Sequence, residues 1–162
     1  MTTEKQDGLP PFVLAAHEGQ PGMVPEGSEM LVKASGENTG GRFGMVLGVD
    51  SPGFATILHR HDVAEAWYIL EGQYRYHVDG SWYTAEQGSF VFVPPGAAHG
   101  LRCVSDGGRK LTLFVPGGTE GFFRDVHAAH EAGTLGADPV RELGERYGME
   151  GLGALPPDTS PI

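Results

Sequence analysis

The stretch GFATILHRHDVAEAWYILEG, residues 53–72, decides the reading of this chain. His59 and His61 are two apart in an extended run, so both imidazoles leave the same face of a strand and can converge on one ion. Glu65 lies four residues beyond His61. The intervening Asp62-Val63-Ala64 reads as a short turn, after which a strand over 66–70 returns beside its predecessor and aims the carboxylate back at the imidazoles. Further on, FVFVPPGAAH, residues 90–99, supplies a fourth donor. Pro94-Pro95-Gly96 ends a strand at 90–93, and His99 enters from a separate one. Three nitrogens and one oxygen suit a single divalent transition metal, Fe, Mn, Ni, Co, Cu or Zn, and match poorly the oxygen-rich sites of Ca(II).

Outward from these residues the pattern is that of an all-β protein. Apolar-rich runs fall at 12–15, 29–33, 42–49, 54–58, 66–70, 73–78, 90–93 and 111–115, and Gly, Pro, Asn or Asp breaks most gaps between them. Val78-Asp79-Gly80-Ser81 predicts a two-residue hairpin between 73–78 and 81–84. It places Tyr74, Tyr76 and Val78 on one face and Gln73, Arg75 and His77 on the other. After Pro116 the period turns helical. Thr119 is placed to cap a helix running to about His130. A second helix has Asp138 as its N-cap, Pro139 at its first position, an apolar stripe of Val140, Leu143 and Tyr147, and Gly148 as its stop. Residues 1–11 read as a flexible arm, 12–118 as a β-barrel, 119–150 as helices packed on the barrel, and 151–162 as an extended tail.

A chain of 162 residues with 40% apolar and 20% charged side chains has the composition of one globular domain. Its formal net charge of -10 repels phosphate backbones and anionic membrane surfaces, which argues against nucleic-acid and membrane partners. Cys103 is the single cysteine, so no intrachain disulfide forms, and a cytoplasmic location is expected. The first residues lack the basic and apolar regions of a secretory signal, and no run approaches the roughly 18 apolar residues that span a bilayer.

Gly53-x5-His59-x-His61-x3-Glu65-x6-Gly72 and Gly88-x5-Pro94-x-Gly96-x2-His99 together resemble the two sequence motifs of the cupins, separated here by 15 residues. The resemblance extends over roughly 28–116. It implies a small jelly-roll-like β-barrel holding one metal through His59, His61, Glu65 and His99, with coordination positions left for water, substrate or dioxygen. Where the second motif usually ends in Asn this chain has Cys103, four residues after His99, which raises the question of a thiol near the ion. Cys103 reads more simply as a small buried hydrophobe.

The remaining candidates divide by strand parity. Trp67 shares the face of Glu65 and, with Tyr76 and Cys103, is a candidate for the wall of a substrate pocket. Arg60 and Arg102 point away from the ligands. His77 reads as an ordinary surface or interface histidine, and His127 and His130, despite helical spacing, as solvent-exposed. The resemblance is closest to single-domain cupins likened to quercetin dioxygenase. It implies a dioxygenase acting on a small organic substrate, aromatic or polyketide-like, with Glu65 both binding the metal and taking a proton from a substrate hydroxyl. An isomerase, cyclase or lyase would use the same ligands without oxygen, and a non-catalytic small-molecule-binding protein would use the same cup. A homodimer is expected, because the run at 12–15 has no hairpin partner and an unpaired strand edge tends to be covered.

Overall fold

The computed structural model describes residues 8–25 and 27–161; residues 1–7 of the arm expected over 1–11 lie outside it. Ten strands come first: β1 (Gln20–Val24), β2 (Ser28–Ala34), β3 (Gly44–Asp50), β4 (Leu58–Arg60), β5 (Ala64–Glu71), β6 (Gln73–Val78), β7 (Ser81–Glu86), β8 (Phe90–Val93), β9 (His99–Cys103) and β10 (Gly108–Val115). Helices α1 (Gly121–Glu131) and α2 (Pro139–Arg146) follow, and strand β11 (Glu150–Gly153) comes last. No helix among the described residues is long and apolar enough to cross a membrane.

The strands form two antiparallel sheets, ordered β1-β2-β3-β10-β5-β8 and β11-β4-β9-β6-β7. Among the described residues no ladder joins them: β8 pairs with β5 alone and β7 with β6 alone. The expected barrel is therefore a cupin-like sandwich with open edges. The turn at Asp79-Gly80 has φ of 44° and 89°, the two positive values its hairpin requires, and sets Tyr76 opposite Tyr83. At Gly72 (φ 85°) a Cβ would come within 2.6 Å of the Gly107 carbonyl oxygen, so the β5–β6 corner needs glycine. Between the sheets, Trp67, Ile69, Tyr74, Tyr76, Val93 and Leu101 form the larger core cluster. Met30, Val32, Val46 and Phe114 form a second beside it.

Several elements depart from the sequence reading. The run at 12–15 is not a strand. Val13 is 93% exposed, and the Lys33 ammonium instead ties the following turn by bonding the carbonyls of Ala15, Ala16 and Glu18. The unpaired edge expected there is thus absent. The run at 54–58 lies beside β9 through scattered bonds rather than a ladder, and the regular strand starts only at Leu58. The first strand, β1, falls in QPGMV, where Pro21 and Gly22 had read as punctuation. Gly22 is needed there because α1 lies on β1, with Phe123 Cβ 3.0 Å from where a Gly22 Cβ would stand. Glu120, not Thr119, precedes α1, while Asp138 caps α2 by accepting from the Arg141 amide at 3.1 Å. The segment after 150 starts as β11, antiparallel to β4, with Arg60 bonded to Glu150 at 2.7 Å. Beyond it, Asp158 pairs with Arg75 at 2.6 Å, and Leu155 packs on Gly100, the cross-strand partner of His77. His77, expected at the surface, is consequently only 6% exposed, with its ring edge-on to Trp82 and its Nδ1 unpartnered among the described residues.

Candidate metal centre

Short-range sequence places each donor at a strand boundary. His59 lies on β4 and is paired directly with His99, the first residue of β9. His61 follows β4 by one residue, and Glu65 is the second residue of β5, opposite Phe114 on one side and Val93 on the other. One ligand atom from each of His59, His61, Glu65 and His99 lies within 4.8 Å of all the others. Every imidazole is oriented by a backbone carbonyl at its Nδ1: Ile57 at 2.9 Å from His59, Val63 at 3.0 Å from His61 and Ala97 at 2.8 Å from His99. A carbonyl only accepts, so each Nδ1 carries the hydrogen and Nε2 is the nitrogen left to face the centre.

The His61 and His99 Nε2 atoms meet Glu65 Oε2 at 2.7 and 2.9 Å. Burial alone would raise the Glu65 carboxyl, but hydrogen bonds from His61 and His99 outweigh it and bring the group down to about 2. Burial, then the neighbouring His99, lowers His59 to about 4. For His99 burial also pulls downward, yet the hydrogen bond and charge of Glu65 leave it raised. At neutral pH the centre therefore offers a carboxylate and at least one neutral imidazole, while His99 tends to keep a proton that a cation would displace. Three convergent imidazole nitrogens and one carboxylate fit a divalent transition metal, and the carbonyl-fixed tautomers are the outer support such ligands need.

The centre opens into a cavity of about 290 Å³, the size of a small organic molecule. Trp67, Phe54, Phe114, Phe122 and Phe123 give it aromatic walls, Lys110 and Thr112 add polar atoms, and residues 137–141 with Met149 and Gly151 add to the lining from the C-terminal segment.

Residues 46–116 match the family model for the cupin domain. Over 138 residues, 85% of its length, the chain is 31% identical to quercetin 2,3-dioxygenase of Bacillus subtilis, of whose length it spans 41%. The chain is a cupin. Among solved structures it resembles a predicted oxalate decarboxylase of Thermotoga maritima, with TM-score 0.60 and 21% identity over 65% of this chain and 99% of that one. It also resembles the polyketide cyclase RemF of Streptomyces resistomycificus, with TM-score 0.56 and 20% identity over 64% and 78%. These last two likenesses concern the fold.

Of the three residues expected on the pocket wall of this cupin, Trp67 alone lines the cavity. Tyr76 is fully buried behind it, ring centroids 5.0 Å apart, and its hydroxyl has no partner among the described residues. Burial, then the Glu65 and Asp50 carboxylates, pushes that phenol well up, so it stays protonated. Cys103 is 1% exposed and its Sγ lies 3.8 Å from Ser105, away from the cavity, which leaves it as core filling. The sequence reading missed Lys110, Thr112 and Phe114. Alternation along 111–115 points the other way, to Leu111, Leu113 and Val115, whereas the buried positions of β10 are Lys110, Thr112 and Phe114. Nothing local marks residues 137–141 as part of the cavity.

Proposed function

We propose that this cupin is a metal-dependent enzyme that oxidises a small, largely apolar organic substrate with dioxygen, holding one divalent transition metal through His59, His61, Glu65 and His99. The observation that carries this reading is the opening of the four-donor centre into an aromatic-walled cavity. The similarity to quercetin 2,3-dioxygenase supports the choice of reaction. When bound, the ion supplies Lewis acidity and, if redox-active, a route for electrons between substrate and dioxygen. The residues do the rest. Trp67 and the phenylalanines desolvate and orient a planar body, and the carbonyl-held imidazoles keep the donors fixed. Glu65, ionised at neutral pH, accepts the proton of a substrate hydroxyl at its carboxylate oxygen as that hydroxyl enters.

The test is metal analysis of protein purified without chelator, followed by oxygen-electrode screening of each metal-reconstituted form with planar enolic and phenolic substrates. One ion per chain and oxygen uptake dependent on substrate are expected. Substrate turnover without oxygen uptake would replace this reading with an isomerase, cyclase or lyase. Ligand binding without turnover would replace it with a non-catalytic binding protein.

The chain is also proposed to work as a homodimer, joined through the outer face of the six-stranded sheet. Leu31, Leu47, Leu111, Tyr68 and Phe90 are successive cross-strand neighbours on that face, and Met45, Leu113, Ala66 and Phe92 form the next row. Tyr68, Phe90 and Phe92 are 47%, 66% and 57% exposed. These three rings alone leave roughly 300 Å² of aromatic surface open, already the size of patch that marks a contact site and a substantial part of the roughly 800 Å² per partner of a stable interface. Neither row contains a charge, so two copies, each of net charge -10, can meet there without like charges opposed.

A further inference from the structure

Lys110 lines the same cavity as the metal centre but belongs to none of its contacts. It is 2% exposed, on the inward face of β10. Its partner is Asp50, buried at the end of β3, which also accepts from Ser28 Oγ at 2.5 Å and from the Tyr74 hydroxyl at 2.6 Å. The two partners are unequally served. Asp50 receives three donors, whereas an ammonium has three N–H groups and Asp50 is the only acceptor Lys110 has among the described residues. The rings of Phe54 and Tyr74 also lie near, with centroids 5.4 Å from Nζ. A buried cation with donors to spare, on the wall of a cavity, is a ready hydrogen-bond partner for whatever fills that cavity.

Register gives the spacing. Along β10, Phe114 stands opposite Glu65, Thr112 opposite Trp67, and Lys110 opposite Ile69. Lys110 is thus two inward positions from the level of Glu65, about 13 Å along the strand at roughly 3.3 Å per residue. Trp67, Phe54 and Phe114 wall the cavity. We propose that Lys110 is a second substrate anchor, whose free N–H groups bind an uncharged acceptor oxygen, such as a ketone, ether or phenol, on the distal end of an apolar molecule that meets the metal centre with its other end. An uncharged acceptor is specified because Asp50 already neutralises the lysine, so that a carboxylate would be buried beside a like charge. The proposal rests on the metal-dependent reading above, since the metal centre is the first anchor.

Three 3-hydroxyflavone probes test it, carrying a 4′-acetyl, a 4′-isopropyl or a 4′-carboxylate group. The first two have nearly the same shape and differ in the carbonyl. Metal content of the Co(II)-loaded protein is measured first and judges the metal centre on its own; probe affinities by fluorescence titration then judge Lys110. The acetyl probe should bind about 10- to 100-fold more tightly than the isopropyl probe, the factor expected of one hydrogen bond to a charged donor. It should also bind more tightly than the carboxylate probe. In the double variant Lys110→Met/Asp50→Asn, which removes both charges together, the ratio should fall to near one while metal content stays at the wild-type level. Equal affinity of the acetyl and isopropyl probes for the wild type overturns the proposal, and needs no variant to fold. Survival of the preference in the double variant also overturns it, and tightest binding of the carboxylate probe overturns the uncharged class.

Discussion

Replacing His99 with alanine separates what the residue does for packing from what it does for the ion. The side chain is 1% exposed, edge-on to Trp67 at 5.8 Å and to His61 at 5.0 Å, and lines the cavity, so its removal strips packing from these rings and widens that space. Large-to-alanine changes at such sites cost about 2–4 kcal/mol. Loss of a buried imidazole that tends to hold a proton returns part of that, so a cost near 2 kcal/mol is the working figure. For a chain of this length that lowers the metal-free midpoint by about 4–8 °C. The ion adds the second effect. At a free concentration near 1,000 times its Kd it stabilises the wild type by about 4 kcal/mol, a rise of about 8–16 °C. A ligand should count for at least the hundredfold in affinity that outer-shell partners reach, so the variant at the same free ion should gain at most about 1.4 kcal/mol, or about 3–6 °C. Differential scanning fluorimetry with buffered Ni(II) or Co(II) gives both shifts, and elemental analysis gives the occupancy. A metal-induced rise in His99→Ala equal to that of the wild type would refute His99 as a ligand, whatever the metal-free midpoint does.

In Glu65→Gln, the amide oxygen can still bind the ion but cannot take a proton at neutral pH, so turnover per bound metal should fall at least tenfold while occupancy falls less; equal turnover per metal would leave Glu65 as a ligand alone. Light scattering at micromolar concentration should give twice the 17.2 kDa of one chain, and Phe92→Glu should return the single-chain mass with metal content intact; a wild-type monomer, or a dimer that survives the substitution, would count against the sheet face. The hydrogen bond from Arg75 holds the Asp158 carboxyl at about 2, below its usual 3.8. A depressed carboxylate stabilises above its unfolded value and loses that contribution as pH falls through the folded one, so amide exchange across 154–160 should quicken between pH 4 and pH 2 beyond the intrinsic change. Asp158→Asn should abolish that extra pH dependence, and its persistence would assign it elsewhere.

The parts of this fold legible in the sequence are those whose cause is local. The β6–β7 hairpin follows from Asp79-Gly80, and α2 from Asp138, Pro139 and Gly148. The four donors are brought together because each stands beside its own turn, so motif spacing contains most of the geometry. Elements created by distant partners were not legible. β1 contains Pro21 and Gly22 and forms because β2 pairs it and α1 covers it. β11, Glu-Gly-Leu-Gly, has little strand propensity and forms against β4, ninety residues away at Arg60–Glu150. The reverse error occurred at 12–15, where four apolar residues resemble a strand but no edge accepts them. His77 fails for the same reason as β11: parity put it on the outer face correctly, and the returning tail buries that face.

The same division between local and distant separates the residues inside the span of the cupin domain from those outside it. All four metal-binding candidates lie within 46–116, the span of the cupin domain. Much of the rest of the cavity lining comes from outside it: Phe122 and Phe123 from α1, residues 137–141 from the approach to and first turn of α2, and Met149 and Gly151 from the approach to β11 and the strand itself. β11 also borders the metal centre, since Gly151 pairs with His59 on a strand of only three residues whose other edge meets β9 at His99. The C-terminal segment therefore both steadies β4 and shapes the cavity. Reaction chemistry follows from the donors, whereas substrate choice follows from side chains that another cupin with the same donors need not have. That is the physical reason why a ligand set points to the kind of chemistry, whereas the walls of the cavity, Lys110 and the C-terminal segment among them, are where the proposed substrate preference is to be tested.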